Sequence, residues 1–165
     1  PMLQFEFTRD ILAAARSAGL HTCIETSGMA STERYVEIAP IVDLFLWDIK
    51  DTDAERLRSN TGASLDLVLY NLSAIDSAGA KTILRCIVLN GINLNEQHLD
   101  RVLAIRASLK HCEGIELLPY HSLGDSKHER LGLIRQSRPE WTPSDEQMSQ
   151  ARAYIDAQGD SLSRG

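Results

Sequence analysis

The chain has 165 residues, is 43% hydrophobic and 24% charged, and carries a formal net charge of −6. That is enough chain for one domain with a real core, and an acidic balance with no Lys/Arg block argues against a duplex nucleic-acid surface. No apolar run approaches the ~20 residues that cross a bilayer, and no basic start leads into an apolar stretch and a small-residue cleavage site.

Residues 1–18 carry Phe5, Ile11, Leu12 and Ala15 on one helical face, with Pro1 suited to a helix entry and Gly19 to a left-handed stop. Residues 20–26 read as a strand closed by Ser27-Gly28, and 32–38 as a short helix before Pro40. The stretch 41–51 organises the rest. It is almost wholly apolar to Ile49, as a buried parallel strand should be, and then turns charged. Alternation puts Leu44, Leu46, Asp48 and Lys50 on one face and Phe45, Trp47 and Ile49 on the other. A short polar helix follows over 51–59, with Thr61-Gly62 as a break. The stripe Leu65, Val68, Leu69, Leu72 predicts a helix over 65–76, and 81–89 reads as a strand ended by Asn90-Gly91. A helix spans 95–110, with Asn93 and Glu96 as its capping pair. Gly114 opens a strand over 115–120, and 122–139 reads as an excursion. Thr142 at N-cap with Pro143 at N1 starts a last helix that runs to 158. Residues 1–158 form the folded part and 159–165 a polar tail.

Helix and strand alternate throughout, which predicts an α/β fold with a parallel sheet. Ser17-Ala18-Gly19 before one strand echoes Ser77-Ala78-Gly79 before another, as stacked β/α units give. No GxGxxG follows a first strand, so a dinucleotide fold has no support.

The chemistry gathers at the carboxyl ends of the four strands, where such folds place their sites. The first strand ends in Glu25, Thr26 and Ser27, the second in Asp48 and Lys50, and the fourth in Pro119, Tyr120 and His121. The third holds Arg85 in mid-strand among Leu84, Cys86 and Ile87; a buried Arg needs a carboxylate such as Asp48 or a bound anion. Asp48 and Lys50 need each other, a metal or a ligand, unless they are simply a solvated strand end. Lys50 is also a candidate Schiff-base amine. Cys23, Cys86 and Cys112 are odd in number and far apart, neither a disulfide framework nor a CxxC-type site, and suit a reducing cytoplasm.

Taken together, Gly19-Leu20-His21-Thr22-Cys23-Ile24-Glu25-Thr26-Ser27-Gly28, Asp43-Leu44-Phe45-Leu46-Trp47-Asp48-Ile49-Lys50, Thr61-Gly62, Ile83-Leu84-Arg85-Cys86-Ile87-Val88 and Glu116-Leu117-Leu118-Pro119-Tyr120-His121 with Leu123-Gly124 resemble the glycyl-radical-enzyme activating enzymes, such as the pyruvate formate-lyase activating enzyme, of the radical S-adenosylmethionine superfamily. The resemblance implies a partial (β/α) barrel and reductive cleavage of S-adenosylmethionine to install a glycyl radical on a partner enzyme. It implies that Asp48, Lys50 and His121 contact S-adenosylmethionine with Arg85 in the same pocket. It also implies that Glu25, Thr26 and Asp48, with the backbone of Leu46, match a monovalent-cation site, although Glu stands at position 25 where Asp is more familiar.

The family's CxxxCxxC motif for a 4Fe–4S cluster does not occur in the sequence, and neither does its GGE segment. The expectation is therefore the C-terminal part of an activating enzyme: a truncated barrel of four parallel strands with helices on the outer face. It would be inactive alone and have a bare edge strand at 20–26 that is open to a dimer mate. The alternatives are a class I aldolase-like lyase using Lys50 and a non-catalytic binding scaffold.

Overall fold

The four strands form one parallel sheet in chain order, β1 (Cys23–Thr26), β2 (Leu44–Ile49), β3 (Thr82–Val88) and β4 (Cys112–Pro119). The structure is a computed structural model and describes residues 1–121 and 138–162. The helices are α1 (Phe5–Ser17), α2 (Thr32–Ile38), α3 (Ala54–Thr61), α4 (Leu65–Ser77), α5 (Glu96–Ala107) and α6 (Asp145–Leu162). Right-handed crossovers between parallel neighbours put successive helices on one side of a sheet. The burial pattern agrees: Phe45, Trp47, Leu84, Cys86 and Val88 are fully enclosed on the helical side. The other face carries Cys23, Glu25, Leu44, Leu46, Ile83, Arg85, Ile87, Glu116 and Leu118, all at least partly open. This is the architecture expected from the sequence, and β1 is an edge strand bonded only to β2 among the described residues.

Local chemistry sets the boundaries. β1 starts at Cys23 rather than Leu20 because Thr22 is tied to Asp43. Its N–H donates to Oδ2 at 2.8 Å and its hydroxyl to the same oxygen at 3.0 Å. These donors, with Arg16 behind them, hold the Asp43 carboxyl down to about 2. Helix α3 is capped by Asp53, which accepts from the Arg56 N–H, and stopped by Gly62 at φ +74°. The capping of α5 differs from expectation: Asn95 accepts from the His98 N–H at 3.0 Å. Asn93 is buried and stitches the turn after β3 instead, bonding the Leu89 N–H and the Ile87 carbonyl. Helix α6 begins at Asp145, not after Thr142, because Ser144 and Gln147 form a reciprocal capping box, 3.2 and 2.8 Å. It continues to Leu162, past the expected end at 158. β4 begins three residues earlier than Ile115, with a register break that leaves Glu113 unpaired opposite Thr82/Ile83. The excursion expected over 122–139 falls mostly outside the described residues, as do Leu123 and Gly124.

Gly28 is required on two counts. Its φ is +76°, and a Cβ there would stand 2.7 Å from the Trp47 ring. The turn it makes is held from α4 by buried Asn71, whose amide donates to the carbonyls of Gly28 and Ala30.

Candidate active site

Register places three charged residues in one row across the sheet: Asp48 lies beside Arg85, and Arg85 beside Glu116. Glu25 on β1 pairs with Leu46 and points to the same open face. The resulting ion pairs differ in closeness. Arg85 Nη1 is 2.6 Å from Glu25 Oε2, and Arg85 Nε is 3.6 Å from Glu116 Oε2. Lys50 Nζ donates to Asp48 Oδ2 at 2.9 Å. Burial is the largest influence on the Arg85 guanidinium and lowers its pKa, but Glu25, Asp48 and Glu116 together reverse this and hold it above its ordinary value.

The other oxygen of Asp48 is unsatisfied. Oδ1 is buried, makes no hydrogen bond, and lies 3.9 Å from Arg85 Nη1. An orphaned carboxylate oxygen is costly, by roughly 1–3 kcal/mol. A ligand hydroxyl or ammonium donating to it would remove that cost, so the site suits a polar ligand with donors for Asp48 and acceptors for Lys50 and Arg85.

A second network fixes the turn that follows Lys50. Asp51 takes a two-pronged ion pair from Arg56 of α3, with Nη2 at 2.7 Å from Oδ1. Burial raises the Asp51 pKa, but Arg56 and the Asp53 N–H bring the net shift below the usual carboxylate value. Thr52 is held by α5: its hydroxyl meets His98 Nδ1 at 2.8 Å, and its carbonyl accepts from Arg101 at 3.3 Å. The His98 ring is buried, its Nε2 makes no hydrogen bond, and desolvation pushes its pKa down to about 4.

Asp48, Lys50, Arg85 and Glu25 are therefore brought together. His121 stands exposed beyond the end of β4, and no contact ties it to the cluster among the described residues. The Thr26 hydroxyl is on the helical face, 2.6 Å from the Tyr35 hydroxyl, and so does not join Glu25 and Asp48. Glu116 is a member that sequence reasoning quoted but did not place in the site. The rule that singled out Arg85, a charge inside an apolar strand, applies equally to it. Lys50 is 42% exposed at its side chain and paired with a carboxylate, unlike the desolvated amine a Schiff base needs. The three thiols are free and do not converge. Cys23 is on the open face of β1, while Cys86 and Cys112 are buried on the other, where burial pushes the Cys86 thiol up. They do not fit a 4Fe–4S cluster, and the described residues hold no His/Cys/Asp/Glu group placed for a metal.

Beside Lys50, at the carboxyl ends of β1 and β2, lies a cavity of about 320 Å³. Met29, Ile49, Leu57, Leu65 and Val68 make its apolar walls, Gly62 and Ala63 its thin side, and Asp48 and Lys50 its polar mouth.

No protein-family model matches the chain. It is 30% identical over 154 residues to the trans-4-hydroxy-L-proline dehydratase activating enzyme of Clostridioides difficile, covering 92% of this chain and 51% of that one. It is 33% identical over 132 residues to the pyruvate formate-lyase-activating enzyme of Clostridium pasteurianum, covering 80% and 55% respectively. The chain thus spans about half the length of the curated relatives it matches. Among solved structures, a domain of the pyruvate-formate lyase-activating enzyme from Bacteroides vulgatus superposes with a TM-score of 0.77 at 27% identity, covering 96% of this chain and 89% of that one. By sequence and by fold the chain is a relative of the glycyl-radical-enzyme activating enzymes.

Proposed function

We propose that this chain is the S-adenosylmethionine- and partner-facing part of an activating enzyme that installs a glycyl radical on a partner enzyme in a reducing cytoplasm. The observation that carries the reading is the ion-pair row Glu25–Arg85–Asp48–Lys50 at the strand ends, with one buried Asp48 oxygen awaiting a donor. Asp48 would accept from hydroxyls of S-adenosylmethionine, Lys50 and Arg85 would donate to its oxygens, and His121 would approach from β4. When bound and reduced through a cluster, S-adenosylmethionine supplies the hydrogen-abstracting radical. The residues of this chain orient it and do not supply the electron. The carboxylates at 25 and 48 would accept a monovalent cation only in competition with Arg85. The free edge of β1 would pair with a second copy.

Calorimetry with S-adenosylmethionine tests this reading. Weak binding is expected, weakened at least about tenfold further in Lys50→Ala. No cleavage is expected after incubation with iron and sulfide. Tight binding, or a cluster taken up by these three thiols, would overturn it. Loss of partner binding in both Lys50→Ala and Arg85→Ala, with no S-adenosylmethionine binding in the parent chain, would favour the scaffold.

A further inference from the structure

We propose that the cavity beside Lys50 is a side-chain pocket for the partner polypeptide, taking one bulky apolar residue next to the target glycine while Lys50 holds an adjacent backbone carbonyl. This rests on the reading above that the chain acts on a glycine-bearing partner.

About 320 Å³ lies at the lower end of ligand pockets, which run from roughly 300 to 1,000 Å³. That is ample room for one large side chain. The walls are mainly aliphatic and thioether groups, with Ser27, Asp51 and Thr61 as their polar members besides the mouth, so they reward an apolar group. Met29, 39% exposed at the lip, is unbranched and can adapt to aromatic or aliphatic shapes. The polar part of the mouth is equally specific. Lys50 has three N–H donors, and Asp48 takes one at 2.9 Å. A peptide carbonyl is the neutral acceptor that can take another without disturbing that pair. The turn after Lys50 is locked by Asp51–Arg56 and Thr52–His98, so the backbone beside the donor is fixed, and Asp48 holds the ammonium itself. The pocket also opens on the same rim as the ion-pair row, which lets one peptide reach both.

The test is methyl NMR on this chain, titrated with short peptides that differ only in the residue beside a central glycine: Phe, Leu or Ala. The methyls of Met29, Leu57, Leu65 and Val68 should shift with the Phe and Leu peptides, which should bind at least about tenfold more tightly than the Ala peptide. Ala63→Trp, at the partly open rim, should abolish that preference. Lys50→Gln should weaken all three peptides alike. Equal binding of the Ala peptide, an unchanged preference in Ala63→Trp, shifts confined to other surfaces, or no peptide binding at all would each overturn the pocket. A parallel titration with S-adenosylmethionine separates the two ideas. Binding of S-adenosylmethionine without peptide selectivity sinks the pocket alone; loss of both sinks the activating reading with it.

Discussion

At the scale of single residues, Arg85 carries the most. It is the cation between Glu25 and Glu116, with its side chain 18% exposed. Arg85→Met removes it but leaves both glutamates able to reach water, so we expect a destabilisation of about 1–3 kcal/mol, measured by urea unfolding, rather than collapse. Gly28→Ala should cost more, about 2–4 kcal/mol, because a left-handed backbone and a clash with Trp47 add together. Both residues were legible in the sequence. An Arg among Leu, Cys and Ile has to find a carboxylate, and a Ser-Gly at a strand end marks a turn. The side of the sheet taken by the Thr26 hydroxyl was also contained in the sequence: neighbours on a strand face opposite ways, so the side chains of 25 and 26 do not both face Asp48.

At the scale of elements, the turn after β2 is held by helices distant in sequence, which no local pattern reveals. His98 sits in an ordinary amphipathic helix, and only the fold brings it against Thr52. Its pKa is pushed down to about 4 from an ordinary value near 6.5, so between those values the unfolded chain takes up a proton that the folded chain refuses. Stability from this group is therefore complete above about pH 6.5 and is lost progressively as pH falls toward 4, by about 3 kcal/mol. Urea titrations across that range should show the loss in the parent chain and a flatter profile in His98→Gln. Among the described residues, sequence placed each strand and α-helix but erred at ends governed by side-chain bonds. Asn93 resembled a cap yet serves the turn after β3. Gly114 resembled a boundary yet lies inside β4, because a register break absorbs Glu113.

At the scale of the whole molecule, one face of a parallel sheet is covered by helices and the other, among the described residues, is not, where parallel sheets ordinarily bury both. On the β1 flank, Leu3, Phe7 and Ile11 are 97%, 68% and 53% exposed in one stripe and border a groove of about 770 Å³ with Cys23, Ile24 and Glu25. Such an edge, beside an apolar stripe, favours pairing with another strand. Sedimentation should show concentration-dependent self-association that Phe7→Glu shifts toward monomer without lowering the unfolding midpoint. The class of fold was readable because alternating helices and strands allow few topologies. The open flank was readable only through the family resemblance.

Each strand lies beside its predecessor in the chain, so one cut in the β2–β3 crossover divides the sheet into two contiguous halves. Cleaving the polypeptide at the turn near Gly79 would leave two halves that meet along the β2–β3 ladder, with the Thr52–His98 contact and the Asp76 carboxylate on the Lys110 and His111 N–H groups beside it. That seam is also where Asp48 meets Arg85. The halves, co-expressed, are expected to copurify through this ladder, and replacing Arg85 in one half to lower the yield of the reassembled pair.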